Sequence, residues 1–339
     1  MRTSLSVAYR PRDWGSIVGQ ESIMLILKKQ LSNNSFKNTY IFSGASGSGK
    51  TTTARIFADE INNHCGQPIE IDAASNNGVD NVRLISEGAK ERSLDSEYKI
   101  YIIDEAHMLT NQAWNALLKI IEEPPKYTIF IFCTTDPQKI PDTIKNRCMR
   151  FNFTRIPSHQ IKSRLEYVCS NEGYTNYDEA CDYISRICKG EMRNALSLLE
   201  TCVDYSNDLT IDNVVKAIGN FSYDIYFNLV NAIIDGNIKE ALQIIEDIYN
   251  EGNDLKHFIN TFLEFILDCT KFIICDTIQV TKLPISVEPQ LKFATGINDA
   301  SKYYMYISDK LLELKNMLKN DTDIKSTTEV MITQMCRLI

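Results

Sequence analysis

The stretch that constrains this chain most is GASGSGKT, Gly44–Thr51. It follows NTYIFSG (38–44), a run of alternating β-formers, and precedes TTTARIFADEINN, which reads as a helix. The spacing fits G-x-x-x-x-G-K-[ST], a loop between a strand and a helix that wraps phosphate groups. Gly44, Gly47 and Gly49 let the backbone turn tightly enough for successive N–H groups to face phosphate oxygens. Ala45, Ser46, Ser48 and Thr52 complete that cradle, Lys50 reaches the β- and γ-phosphates, and Thr51 offers its hydroxyl to Mg²⁺. A glycine-rich turn of chance spacing is the competing reading, and the strand–loop–helix setting argues against it.

Three more strands are expected, at 68–75, 99–105 and 127–136, with an amphipathic helix at 111–125 that stops at a double proline. Strands alternating with helices imply a parallel sheet covered on both faces, with ligands at the carboxyl ends of its strands. After FNFTRIPS the strand signals fade. Ser158 is set to cap a helix that Gly173 ends, two more helices hinge around Gly190, and a boundary falls near Gly219. Beyond it only helices are expected, broken at DGN, EGND, KLPISVEP and NDTD. A length of 339 residues suits two or three domains. The expected layout is an α/β domain at 1–155, a small helical domain at 156–218 and a larger helical domain at 219–339.

A net charge of −8 argues against attraction of the whole surface to nucleic acid, though not against a local basic stripe. Between residues 139 and 164, Lys139, Lys145, Arg147, Arg150, Arg155, Lys162 and Arg164 face only Asp142. A solvated helix face explains such a run equally well. The start, MRTSLSVAYRPRDW, carries no secretory pattern. The apolar stretch FINTFLEFILDCTKFIICDTI is broken by Glu264, Asp268, Lys271 and Asp276, so it reads as a helix pair or one long core helix rather than a membrane span. Ten cysteines without a CxxC pair favour free thiols in a reducing cytoplasm.

A second chemical constellation is KIYIIDEAHML, which sets Asp104 and Glu105 at the end of an apolar strand. Asp104 is placed to share the Mg²⁺ shell, and Glu105 to orient or deprotonate an attacking water. Adjacent acids there are costly without a cation. His107 is read first as a helix-start residue and second as a contact behind the acids. A two-lobed helicase would need a second phosphate-binding lobe, which the helical sequence after residue 156 does not supply. Thr134 and Thr135 close the fourth strand, either to sense the γ-phosphate or simply as β-branched strand residues. Arg147, in TIKNRCMRFNF, lies far along the chain from the loop with nothing catalytic beside it.

YRPRDWGSIVGQE, YIFSGASGSGKTTTARIFA, IEIDAASNNGVDNVR, YIIDEAHMLTNQAWNALLKIIEEPP, TTDPQKIPDTIKNRC and KGEMRNALSLLE occur in this order. In order and spacing they resemble the gamma/tau ATPase subunit of the bacterial DNA polymerase III clamp loader, an AAA+ family, over residues 9–200. Residues 220–339 resemble its oligomerising collar more loosely. The resemblance implies an AAA+ domain, a helical lid and an all-α collar. It implies an ATP-dependent subunit of a pentameric ring that works with a sliding clamp and primer–template DNA.

It also gives Arg147 a role as an arginine finger lent to a neighbour's ATP, with Asn146 replacing the family's serine. Arg193 matches the arginine that reaches the γ-phosphate from the lid. Tyr9, Arg10, Pro11, Val18 and Gly19 match the segment near the adenine. Arg83, Lys119 and Lys139 match DNA-tracking positions. The family's four-cysteine zinc module is reduced to INNHCGQPIEI, where His64 and Cys65 cannot hold tetrahedral zinc, so no zinc is expected. Neither a long C-terminal extension nor a polymerase site is expected. The alternatives are an AAA+ branch-migration or recombination-maintenance ATPase, a scaffold subunit that only binds nucleotide, and, more distantly, a small-molecule kinase.

Overall fold

The computed structural model describes residues 3–297 and 299–337, and the chain divides into two compact units. The first comprises Met1–Val168 with Cys188–Glu200. At its centre are five strands: β1 Thr39–Gly44, β2 Ile69–Asp72, β3 Lys99–Asp104, β4 Thr128–Thr134 and β5 Met149–Phe153. They lie in the order β2-β3-β4-β1-β5 and every pairing is parallel. The four strands expected from sequence are present, each shorter at its ends, and MRFNF supplies the fifth.

The sequence of β4, TIFIFCT, is apolar almost throughout because both of its faces are covered, and all its residues are buried. Alternate residues sort to opposite faces. Tyr40, Phe42, Ile100, Ile102, Ile129 and Ile131 pack with Leu27, Phe57 and Ile61 of the helices Glu21–Ser32 and Lys50–Ile61. Ile41, Tyr101, Ile103, Phe130 and Phe132 pack with Val82, Trp114 and Leu117 of the helices Val79–Gly88 and Asn111–Glu122. Edge strand β2 is mostly exposed, which accounts for its charged residues.

Helix Asn111–Glu122 begins where Thr110 Oγ1 accepts from Ala113 N at 3.1 Å. It stops at Glu122 rather than running to 125, because Glu123 precedes Pro124 and is pushed out of the helical region. Helix Ser158–Glu172 ends before Gly173 as expected, and Tyr177–Ile187 and Met192–Tyr205 flank Gly190.

The second unit, Cys169–Ile187 with Thr201–Ile339, contains no named strand among its described residues. Its core gathers around one continuous helix, Leu255–Cys275, against which Ala300–Met317 packs. That helix resolves the apolar stretch as a single long element, ended by Asp276 in the left-handed region at φ 50°. Asp268 is only 3% exposed; Lys271 pairs with it, and Lys282 N donates to its Oδ2 at 3.1 Å. A buried carboxylate needs such partners. Tyr226, Phe258, Phe262 and Phe265 form an aromatic cluster in the same core. The breaks at DGN, EGND and NDTD fall between helices, whereas KLPISVEP holds the 3₁₀ turn Ile285–Val287 and the first two residues of helix Glu288–Thr295. Cys65 and Cys275 are exposed free thiols, and no described helix is long and apolar enough to cross a membrane.

Candidate active site

The glycine loop leaves β1 with Gly44 at φ 148°, where a Cβ would stand 2.2 Å from the Phe153 carbonyl oxygen. No side chain fits there. Gly47, at φ 65°, lies against Arg193, and its carbonyl accepts from Met192 N at 3.2 Å. Ser48 Oγ closes the loop by donating to Ala45 O at 2.8 Å. Gln20 braces it from outside: its Nε2 donates to Thr154 O at 2.7 Å and Ser48 O at 3.4 Å, and its Oε1 accepts from Thr154 N at 3.2 Å.

Lys50 is 6% exposed, and its Nζ donates to Gly44 O at 2.9 Å and Ala45 O at 2.8 Å. Burial pushes its ammonium pKa down, opposed by Cys133, Glu105 and Asp104. An anion arriving in the loop would relieve that desolvation. Thr51 Oγ1 donates to Asp104 Oδ2 at 2.9 Å, bringing together two oxygen ligands of the kind Mg²⁺ takes.

Glu105 sits in the left-handed region at φ 48° and its N–H donates to Asp104 Oδ1 at 3.0 Å. Its Oε2 accepts from Thr135 Oγ1 at 3.3 Å and lies 3.3 Å from His107 Nδ1. His107 Nδ1 is also 3.3 Å from Thr134 Oγ1. The first reading of His107, as a helix-start residue, is therefore incomplete. It does lie in a short 3₁₀ turn, Ala106–Met108, but its ring faces the acid.

These elements line an open cleft. Among the expected site residues it brings together Tyr9, Arg10, Pro11, Val18, Ser46, Gly47, Ser48, Gly49, Lys50, Thr51, Thr52, Asp104, Glu105 and Arg193. Gly19, Gly44, Ala45 and Thr135 are not among its lining residues. The sequence reading missed Ile17, Ile156, Met192 and Leu196, which give the cleft apolar walls. It also missed Arg164 as a cleft residue, whose Nη2 donates to Tyr9 O at 3.0 Å. Arg10 is desolvated and lies near Arg55 and Arg193, so its pKa is lowered, while Glu70 and Asp104 oppose that shift. The cleft thus concentrates guanidinium groups around a phosphate-shaped loop.

Arg147 is not among the residues lining this cleft. Its carbonyl accepts from Thr39 Oγ1 at 2.9 Å, at the start of β1, whereas the loop leaves the far end of that strand. Five residue steps along a parallel strand separate the two ends by ~16 Å. Arg147 Nη2 pairs with Glu122 Oε1 at 2.7 Å, and its Nη1 donates to Thr143 O at 2.6 Å.

The DNA candidates Arg83, Lys119 and Lys139 are all exposed; Arg83 lies 3.4 Å from Asp80, and Lys139 lies 3.7 Å from Asp136. The basic run from 139 to 164 is broken up by partners. Lys145 pairs with Asp142, Arg147 with Glu122 and Lys162 with Glu166, while Arg164 turns into the cleft. His64 Nδ1 lies 2.6 Å from Asp59 Oδ2, and Cys65 is exposed.

A five-stranded parallel sheet bearing this loop, acid pair and arginine defines a P-loop nucleotide-binding domain of the AAA+ kind. Its fold resembles the RuvB Holliday junction branch migration motor of Thermotoga maritima, with a TM-score of 0.53 and 19% identity, over 67% of this chain and 80% of that one. The family described as "DNA polymerase III, delta subunit" matches residues 68–157, and "DNA polymerase III subunits gamma and tau domain III" matches residues 209–291. The Bacillus subtilis DNA polymerase III subunit tau is 42% identical over 222 residues, 59% of this chain and 39% of that protein. The Haemophilus influenzae DNA polymerase III subunit tau/gamma is 34% identical over 251 residues, 66% of this chain and 36% of that protein. Over the matched region the chain is similar to these gamma/tau subunits. It spans well under half the length of these relatives.

Proposed function

We propose that the chain is an ATP-hydrolysing subunit of a sliding-clamp loader, working in a ring whose neighbours complete one another's sites. ATP lies in the glycine loop with its phosphates on the N–H groups of residues 45–52, and Lys50 and Arg193 meet the β- and γ-phosphates. Tyr9, Arg10, Val18 and Gly19 flank the base. Thr51 and Asp104 hold Mg²⁺, which neutralises phosphate charge when bound. Glu105, tethered to Thr135, orients the attacking water. Arg147 serves the site of the adjacent subunit, so that hydrolysis requires assembly.

Binding of ATP opens the clamp and grips primer–template DNA through contacts such as Arg83, Lys119 and Lys139, and hydrolysis releases both. Residues 1–155 act as the ATPase domain, 156–218 as the lid and 219–339 as the collar of a pentameric ring in the cytoplasm. The observation that carries this reading is the division of the charged groups. Lys50, Asp104, Glu105 and Arg193 share one cleft, while Arg147 stands at the opposite end of β1. The branch-migration reading has only the shared fold in its favour.

Mixing Lys50→Ala with Arg147→Ala protein tests the proposal. Each variant alone is expected to be inactive. Mixed assemblies are expected to regain turnover wherever an intact loop faces an intact arginine. No recovery in well-mixed assemblies, or full turnover by a strictly monomeric preparation, would rule out an arginine acting across subunits.

A further inference from the structure

Arg147 is held more firmly than an exposed arginine needs to be. Its carbonyl is fixed by Thr39, one terminal nitrogen by Thr143 O at 2.6 Å and the other by Glu122 Oε1 at 2.7 Å. The side chains of Arg147 and Glu122 are 40% and 45% exposed, and an ion pair so exposed adds little to stability. Stability is therefore a poor reason for the contact.

The position of Glu122 sharpens the point. It is the last residue of helix Asn111–Glu122, where the partial negative charge of the helix end disfavours a carboxylate. Glu123, Pro124 and Pro125 follow and end the helix, so the carboxylate is mounted on a rigid terminus facing the groove that holds Asn146 and Arg147. A guanidinium carries five N–H donors in a planar fork. The two contacts leave the rest of the fork able to meet a phosphate, while a side chain with large rotamer entropy is already ordered.

We propose that Glu122 is the positioning residue for Arg147, presenting its guanidinium to the triphosphate of an adjacent subunit. The inference rests on the proposed role of Arg147 across subunits and adds the group that orients it. Glu122 touches neither nucleotide nor metal in this scheme. It acts by fixing the rotamer of the arginine before the neighbouring site docks.

The test uses assembled protein carrying Glu122→Ala, with Glu122→Gln as the milder variant that keeps an acceptor oxygen. Glu122→Ala is expected to lower kcat on the order of 10-fold to 100-fold, as misplacement of a catalytic group does, with KM for ATP unchanged. Glu122→Gln should fall between it and the parent, and Glu122→Ala added to Arg147→Ala should cost nothing more. Mixing Glu122→Ala with Lys50→Ala chains should restore turnover, because the Lys50→Ala chain lends a properly held arginine to an intact loop. A structural defect within the Glu122→Ala chain would not be rescued in this way.

An unchanged kcat in Glu122→Ala, a further loss on top of Arg147→Ala, or failure of the rescue would each overturn the role of Glu122. Full turnover by Arg147→Ala alone would sink the cross-subunit arginine as well. Loss in Arg147→Ala without loss in Glu122→Ala would sink only the role of Glu122.

Discussion

The two ends of β1 are built on opposite plans. At its carboxyl end Lys50, Ser48 and Gln20 are buried and locked to the backbone carbonyls of Gly44, Ala45 and Thr154. At its amino end Arg147 is open to solvent, and an equally open Glu122 holds its side chain. The first arrangement is self-sufficient and tolerates little change. The second makes sense as a surface that something else must meet. Groups that would act on one phosphate are thus split between a closed site and an open edge of the same strand.

The largest expected effect tests that split. Arg147→Ala should lower assembled turnover by ~10³–10⁵-fold, as removal of an arginine finger does elsewhere. Thermal unfolding should hardly change, since the lost ion pair is exposed. A large drop in melting temperature would show that the open end is structural after all. Gly44→Ala should behave in the opposite way. Its Cβ would collide with the Phe153 carbonyl, and strain of ~1–3 kcal/mol should appear as lower thermal stability together with lost nucleotide binding. A stable variant with normal affinity would mean the loop is more plastic than its geometry implies. The smallest effect is expected of Gln20→Ala, which removes its hydrogen bonds to the exposed Thr154 backbone and should cost ~0.5–1.5 kcal/mol in denaturant unfolding. Turnover per folded molecule should change less than in Gly44→Ala.

Much of the sheet was legible in the sequence because its determinants are local. The two-residue alternation of Tyr40, Phe42 and their neighbours, with a glycine loop between strand and helix, needs no distant partner to be read. The acid pair was equally plain, as a polar end to an apolar run. What escaped was non-local. Gln20 meets Thr154, Arg164 meets the Tyr9 carbonyl, and Glu122 meets Arg147, across sequence gaps that leave no periodic trace. His107 was under-read for a similar reason. Its ring makes sense only once β3 and β4 lie side by side and bring Thr134 to it. The basic run between 139 and 164 stayed open between a stripe and a solvated face, because composition counts charges but not the carboxylates that pair with Lys145, Arg147 and Lys162.

The bond from Met192 N to Gly47 O joins two main-chain atoms, so ordinary side-chain replacement at either position leaves donor and acceptor in place. The segment carrying Arg193 is thereby hooked to the loop by the polypeptide itself, like a bracket riveted to a frame. Only a residue lacking an amide hydrogen can cut that rivet. A proline at position 192 would let the arginine drift from the loop while every side chain of the cleft but methionine's stayed as it was.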